Sequence, residues 1–270
     1  MGILYLVSTP IGNLKDITLR ALETLRESDI IACEDTRRSI VLLNHYEIKK
    51  PLVSYHKHNE KSRSEEILRY LEEGKRVALI SDAGSPLISD PGAVIVKQAR
   101  EEGHEIVVIP GASAVISAVS LAGIDTGFIF IGFLPEKKKS REEILLKYKA
   151  ADLPLVFYSS PHNINGDREN ILELYGDRDC YIIKELTKIY ESLTFGKLSD
   201  AALDNTKGEF VLIVMPGKFE EEMLNLSIKE HIVKVMLEQK VTKKEAVKVV
   251  AAVRKENRNT VYQESLDIKE

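Results

Sequence analysis

Ile80-Ser81-Asp82-Ala83-Gly84-Ser85-Pro86-Leu87-Ile88-Ser89-Asp90-Pro91-Gly92 is the stretch on which the reading of the fold turns. The apolar run Val77 to Ile80 stops abruptly. Small residues, two carboxylates, two prolines and two glycines follow, and a helical pattern starts at Pro91. A strand that ends in such a loop and passes into a helix is the βα unit of a parallel sheet, and ligands bind at the carboxyl ends of its strands. Small side chains let a ligand approach the backbone, and Asp82 offers an acceptor. Ser8-Thr9-Pro10-Ile11-Gly12-Asn13 and Pro110-Gly111-Ala112-Ser113-Ala114 are punctuations of the same kind. Three of them in the first half imply one small-molecule crevice.

Outward from that loop, strands are expected at Ile3 to Ser8, Asp29 to Cys33, Leu52 to Tyr55, Arg76 to Ile80 and Glu105 to Ile109. Helices alternate with them. One covers Ile17 to Glu27, capped by Asp16, with Leu19, Leu22 and Leu25 on one face. Others run from Thr36 to His45, from Ser62 to Glu73 with Gly74 as the stop, and from Pro91 to Gly103. This alternation predicts a doubly wound parallel sheet over 1–113. Over 114–217, strands at Phe128 to Phe133, Leu155 to Ser159, Cys180 to Leu186 and Phe210 to Met215 alternate less regularly with helices, which predicts a second, mixed α/β domain. Pro216-Gly217 and Glu220-Glu221-Glu222 read as a linker, and 222–270 as a basic tail of two or three short helices.

The chain has 270 residues, 44% hydrophobic and 30% charged, with a net charge of −4. That balance excludes a globally basic nucleic-acid binder, so any RNA contact must be local. Cys33 and Cys180 sit apart in apolar runs and read as buried thiols of a protein kept in the reducing cytoplasm. Met1 to Val7 lacks a basic n-region and reads as the first strand rather than a signal peptide. No run is long enough to predict a membrane span. The absence of G-x-G-x-x-G and G-x-x-x-x-G-K-[ST] argues against a nicotinamide Rossmann enzyme or a P-loop NTPase.

Several charged clusters fall at strand ends. Glu34-Asp35-Thr36-Arg37-Arg38 is either a catalytic or substrate-orienting group or a surface ion network. Lys184-Glu185-Leu186-Thr187-Lys188 is either functional or an alternating strand with solvated charges. His56 and His58 have no third metal ligand in spacing and read as part of a polar, RNA-facing loop. Lys240 to Arg258 carries seven Lys or Arg against two Glu. It reads as a helix, a turn and a second helix, similar to a small helix-turn-helix.

Leu4-Tyr5-Leu6-Val7-Ser8-Thr9-Pro10-Ile11-Gly12-Asn13-Leu14, Glu34-Asp35-Thr36-Arg37, His58-Asn59-Glu60, the loop quoted above, Ile109-Pro110-Gly111-Ala112-Ser113-Ala114, Gly132-Phe133-Leu134-Pro135 and Glu185-Leu186-Thr187-Lys188 follow one another in this order. Together they resemble the tetrapyrrole methylase superfamily, the class III S-adenosylmethionine enzymes, and within it the branch that acts on bacterial 16S ribosomal RNA. The resemblance covers nearly the whole chain. It implies two α/β domains with S-adenosylmethionine in the cleft between them, 2′-O-methylation of a decoding-centre cytidine of 16S rRNA in the 30S subunit, and a homodimer. The implied cofactor contacts are Pro10, Ser81, Asp82, Ala83, Gly84, Leu87, Ile88, Ser113, Ala114, Phe133, Leu134, Gly208, Glu209 and Phe210. The implied catalytic set is Glu34, Asp35, Arg37, Glu185 and Lys188, with no metal required, and residue types do not choose a base among them. The family usually has Glu at Ser159, Arg at Asn163 and often Arg at Lys184, so the substrate side of this chain departs from the pattern at those positions. The rival readings are a small-molecule tetrapyrrole methyltransferase and a non-catalytic ribosome-binding factor.

Overall fold

The computed structural model describes residues 1–217, 226–239, 241–254 and 256–268. The expected acidic linker at Glu220-Glu221-Glu222, together with Lys240 and Lys255, lies outside them. The chain divides into two compact units, Met1–Met215 and Pro216–Glu270.

The first unit holds two five-stranded sheets. In the first, β1 (Ile3–Val7), β2 (Ile30–Cys33), β3 (Leu52–Ser54), β4 (Arg76–Ile80) and β5 (Glu105–Ile109) are all parallel in the order β3-β2-β4-β1-β5. The helices α1 (Leu19–Glu27), α2 (Thr36–His45), α3 (Glu60–Glu72) and α4 (Ala93–Glu101) make the crossovers. Strand β4 is apolar and buried from Val77 to Ile80, as a central strand covered on both faces must be. The chain leaves β1 toward one edge and β4 toward the other, so the two central strands form a switch point, where such sheets open a crevice.

The second sheet is mixed, as expected. Its strands are β6 (Ile129–Phe133), β7 (Leu155–Ser159), β8 (Asp179–Lys184), β9 (Ser192–Lys197) and β10 (Phe210–Val214), in the order β6-β7-β10-β8-β9. Only β6 and β7 pair in parallel; the other three pairings are antiparallel. The helices α5 (Ala114–Leu121), α6 (Lys138–Tyr148) and α7 (Ile164–Tyr175) complete this part. Its core gathers Phe157, Leu212 and Ile182 with Leu145 and Ile171.

Four local expectations are corrected. Asp16 does not cap α1. It closes a 3₁₀ turn, Leu14–Asp16, while the Thr18 hydroxyl accepts from the Ala21 N–H at 3.1 Å and is the true cap. Leu19 is not on the buried face; as the first helical residue it is 79% exposed. Pro91 does not open α4, because Gly92 adopts φ 140° and the helix starts after it. Strand β9 went unseen: all but one of its residues are exposed, so no apolar alternation marks it. Cys33 and Cys180 are buried free thiols.

In the second unit α8 (Ile228–Gln239), α9 (Lys243–Arg254) and α10 (Arg258–Glu264) surround a core of Ile232, Val235, Val247, Val250 and Val261. Arg254 donates to His231 Nδ1 at 3.1 Å and to the Leu226 carbonyl, and Lys243 Nζ donates to the Ile268 carbonyl at 3.0 Å. These two cations therefore hold the bundle together, while Lys244, Lys248 and Arg258 are exposed.

The reassigned cap is testable by urea unfolding. Thr18→Ala should cost about 1 kcal/mol, the usual cost of losing an N-cap. Asp16→Ala, at an exposed position, should stay within about 0.5 kcal/mol of the parent. The reverse ranking would restore Asp16 as the cap.

Candidate active site

The three punctuated loops meet. Thr9 and Gly84 exchange two backbone hydrogen bonds, N–H to carbonyl at 2.8 Å and 3.1 Å. The Thr9 hydroxyl donates to the Ser81 carbonyl at 3.2 Å, and the Ser8 and Ser85 hydroxyls are 2.8 Å apart. Gly111 lies so close to Ser8 that an added Cβ would sit 2.8 Å from the serine Cβ. The loop after β4 is tightly wound. Gly84, Leu87, Ser89 and Gly92 all have positive φ, and for the two non-glycine residues this is stored strain.

Above these loops opens a cavity of about 400 Å³, within the range of small-molecule sites. Of the sequence-derived set, Glu34, Asp82, Ala83, Gly84, Ile88, Ser113, Ala114, Phe133, Glu209 and Phe210 line it. Phe133 is 56% exposed, and Ile88 also stands open. Exposed apolar side chains on a cavity wall are what a ligand covers. Pro10, Ser81 and Leu134 are buried behind the lining, and Leu87 packs on the core of the parallel sheet. Gly208 turns at φ 114° against the Glu185 side chain.

Asp35, Arg37, Glu185 and Lys188 do not line the cavity. Asp35 caps α2, and the hydrogen bonds from Arg37 hold its carboxyl down at about 2. The Arg37 guanidinium pairs with it at 2.8 Å and is otherwise turned to solvent. Lys188 Nζ bridges Glu185 at 2.8 Å and Glu209 at 2.9 Å. The Glu185 carboxylate also accepts from the Glu209 N–H at 2.9 Å. Burial opposes both charges, yet the ion pair prevails: Glu185 is held below its ordinary value and Lys188 above it. This cluster fixes the backbone that carries Glu209 and Phe210 into the cavity. It also touches the first loop, since a Cβ on Gly12 would lie 2.6 Å from Lys188 Cγ.

The implied catalytic and cofactor sets leave out Arg38, Asp90, Tyr158 and Ser159, all of which line the cavity. Tyr158 and Ser159 end β7 and Arg38 lies in the first turn of α2 after β2, the strand-end signal that could have found them; Asp90 lies well beyond β4, at the far end of its loop. Arg38 pairs with Asp82 at 3.2 Å, and the Asp35 N–H donates to Asp82 at 3.1 Å. Glu34 and Asp90 stand differently. Burial pushes the Glu34 carboxyl up and the Asp82 charge adds to it. Burial, then the Glu34 charge, pushes Asp90 up to about 6. Ser159 donates to the buried Asp167 at 2.6 Å. Asn163 sits at the N-cap of α7, and Lys184 Nζ donates to the Asn205 carbonyl at 3.2 Å.

Residues 3–202 match the family model described as Tetrapyrrole (Corrin/Porphyrin) Methylases. A Ribosomal RNA small subunit methyltransferase I of Thermotoga maritima is 48% identical over 223 residues, 81% of this chain and 100% of the relative. One of Bacillus subtilis is 43% identical over 274 residues, 97% of this chain and 93% of the relative. A diphthine synthase structure is similar with TM-score 0.66 and 18% identity, over 80% of this chain and 90% of that one. A uroporphyrin-III-C-methyltransferase of Thermus thermophilus gives TM-score 0.57 and 20% identity, over 82% and 98%. At those identities the structures speak for the fold.

The raised Asp90 value has a stability consequence. The folded state holds this proton more tightly than the unfolded chain, whose Asp titrates near about 3.9. Folding therefore loses stability as pH rises from that value through about 6. Asp90→Asn should resist urea better than the parent at pH 8, with the advantage vanishing by pH 4. An equal or lower midpoint at pH 8 would contradict the burial account.

Proposed function

The chain belongs to the tetrapyrrole methylase family and, within it, to the small-subunit rRNA methyltransferase I group. On that premise we propose that it methylates the ribose 2′-oxygen of a decoding-centre cytidine in 16S rRNA, on the assembled small subunit. It is a methyltransferase that uses S-adenosylmethionine. The observation that carries the reading is the 400 Å³ cavity built from the loops whose sequence marks the family.

The residues present fit that cofactor. Ala83, Gly84 and Ala114 leave room at the backbone, and Phe133, Tyr158 and Phe210 offer apolar faces. Among the described residues Glu34, Asp82, Asp90 and Glu209 outnumber the one lining cation, Arg38, so the cavity suits a positively charged ligand. Asp82 is suited to accept from ribose hydroxyls. When bound, the sulfonium supplies an already activated methyl group. The protein's task is to orient the acceptor oxygen and take its proton. Glu34 stands at the cavity; Arg37, exposed beside it, is placed to hold an RNA phosphate through its guanidinium fork. Glu185 and Lys188 act through Glu209 and Phe210, whose backbone they fix.

We take 1–113 and 114–217 as the two domains that frame the cofactor and 222–270 as the RNA-recruiting appendage. Lys244, Lys248 and Arg258 support recruitment, and a corrin substrate needs no such appendage. The homodimer is part of the reading. The edge strand β9 and the turn before it expose Ile189, Tyr190, Leu193 and Phe195, apolar surface that a second copy would cover. Among the described residues no helix is long and apolar enough to cross a membrane. The cytoplasm, where small subunits assemble, is the proposed location.

The decisive experiment maps 2′-O-methyl marks in 16S rRNA after incubation of unmodified small subunits with the protein and cofactor. A new mark on a decoding-centre cytidine is expected; its absence with bound cofactor would favour the non-catalytic ribosome-binding factor. Two variants probe the parts. Gly84→Val puts a branched side chain at φ +75° on the cavity wall and should weaken cofactor binding at least tenfold by calorimetry. Lys244→Ala, Lys248→Ala and Arg258→Ala together should leave that affinity unchanged. They should weaken subunit association and flatten its salt dependence, each lost phosphate contact removing about one from the log–log slope.

A further inference from the structure

Two carboxylates on the cavity wall lack the cation that their neighbour has. Asp82 is neutralised by Arg38 and the Asp35 N–H. Among the described residues, neither Glu34 nor Asp90 has an ion-pair partner within 4 Å. Both line the same cavity as the cofactor loops. They reach it from different elements, Glu34 from the end of β2 and Asp90 from the far end of the loop after β4.

Asp90 is held in place from both sides. Before it, Ser89 sits at φ 69°, with its hydroxyl oxygen 3.1 Å from where a Cβ on Gly132 would lie. After it, the Gly92 N–H donates to Glu60 Oε1 at 2.9 Å. The groups that face Asp90 are Glu34 and Asp82 from the strand ends, the Ser81 hydroxyl, Lys57 from the loop after β3 and Tyr158 from β7. Burial disfavours ionisation most, and the Glu34 and Asp82 charges add to it; together they outweigh the Ser81 hydrogen bond and Lys57, which favour the ionised carboxylate. This strained loop therefore presents a half-buried carboxylate to the cavity at a cost in stability.

We propose that Asp90 is the general base of the reaction, with Glu34 the like-charged neighbour that keeps it basic. The inference rests on the ribose-methylation reading above. The O2′ lone pair forms the new bond to the methyl carbon as the carbon–sulfur bond breaks, and that electron pair returns to sulfur as a neutral thioether. The O2′ proton passes to the Asp90 carboxylate and from there to water. A carboxylate that titrates at about 6 is largely ionised at neutral pH and more basic than an ordinary Asp, which assists proton removal late in the transfer.

The test combines a titration with single-turnover methylation. In carbonyl-carbon NMR of the cofactor-free protein, Asp90 should titrate near 6, and lower in Glu34→Gln. Asp90 titrating near the ordinary value of about 3.9 would overturn the proposal. In single-turnover methylation of small subunits, the wild-type rate should rise with pH through the same value and level off. Asp90→Asn should lower the plateau about 10²–10⁴-fold and abolish that rise, with a far smaller loss of cofactor affinity, because three other carboxylates remain on the cavity wall; Asp90→Glu should recover part of the rate. A rate within about threefold of wild type, well below a base's contribution, or a persisting rise would remove Asp90 from the role. A wild-type protein that binds cofactor but methylates no small subunit would instead overturn the functional reading itself.

Discussion

The site depends first on the pair of backbone hydrogen bonds between Thr9 and Gly84. Strands β1 and β4 are neighbours, and the chain leaves them toward opposite edges of the sheet. Left to themselves, the two loops would splay, because each carries unpaired backbone groups at a strand end. The exchange between Thr9 and Gly84 satisfies those groups and closes the gap, and the Ser8–Ser85 contact extends it. A glycine is needed because the turn requires φ +75° with Ile11 packed alongside. Gly111, packed on Ser8, adds the third loop. The floor of the cavity is thus backbone held by backbone, which leaves the side chains above it free for chemistry.

Charge is distributed unevenly over that floor, and each carboxylate has its own environment. Asp35 is tied to Arg37 and Asp82 to Arg38, while Glu185 and Glu209 share Lys188. Glu34 and Asp90 are left to repel one another in a partly desolvated site. The neutralised carboxylates organise the loops; the two others retain basicity at a cost in stability. Function sits where the local rules of folding are broken, and the positive φ values at Leu87 and Ser89 mark the same place.

The helical C-terminal unit follows a different logic. Its stretch from Lys240 to Arg258 reads as basic and helix-turn-helix-like, yet two of its cations are drawn into hydrogen bonds that close the bundle. Arg254 reaches His231 and the Leu226 carbonyl, and Lys243 reaches the Ile268 carbonyl. Composition counts charges without knowing which carbonyls outside the helices are left to be satisfied, here those of Leu226 and Ile268.

The sequence by itself determined the parallel sheet, the mixed second sheet and the three punctuated loops that meet at the cavity. Strand periodicity, Gly and Pro punctuation and apolar runs are local, and they report the hydrogen-bonding and burial demands of each segment wherever it ends up. Through the resemblance it also carried Glu34 as a catalytic candidate and Asp82, Gly84, Ser113 and Phe133 as cofactor candidates. Only the tertiary structure decided which strand-end charges face the cavity. Glu34, Asp35 and Arg37 are adjacent in sequence, yet one lines the cavity, one caps a helix and one points to solvent. Strand β9 escaped because its exposed residues obey no burial pattern, and Asp90 because its environment is made by β2, β3 and β7, remote in sequence. A carboxylate's pKa is a sum over neighbours in space, and that sum does not exist until the chain has folded.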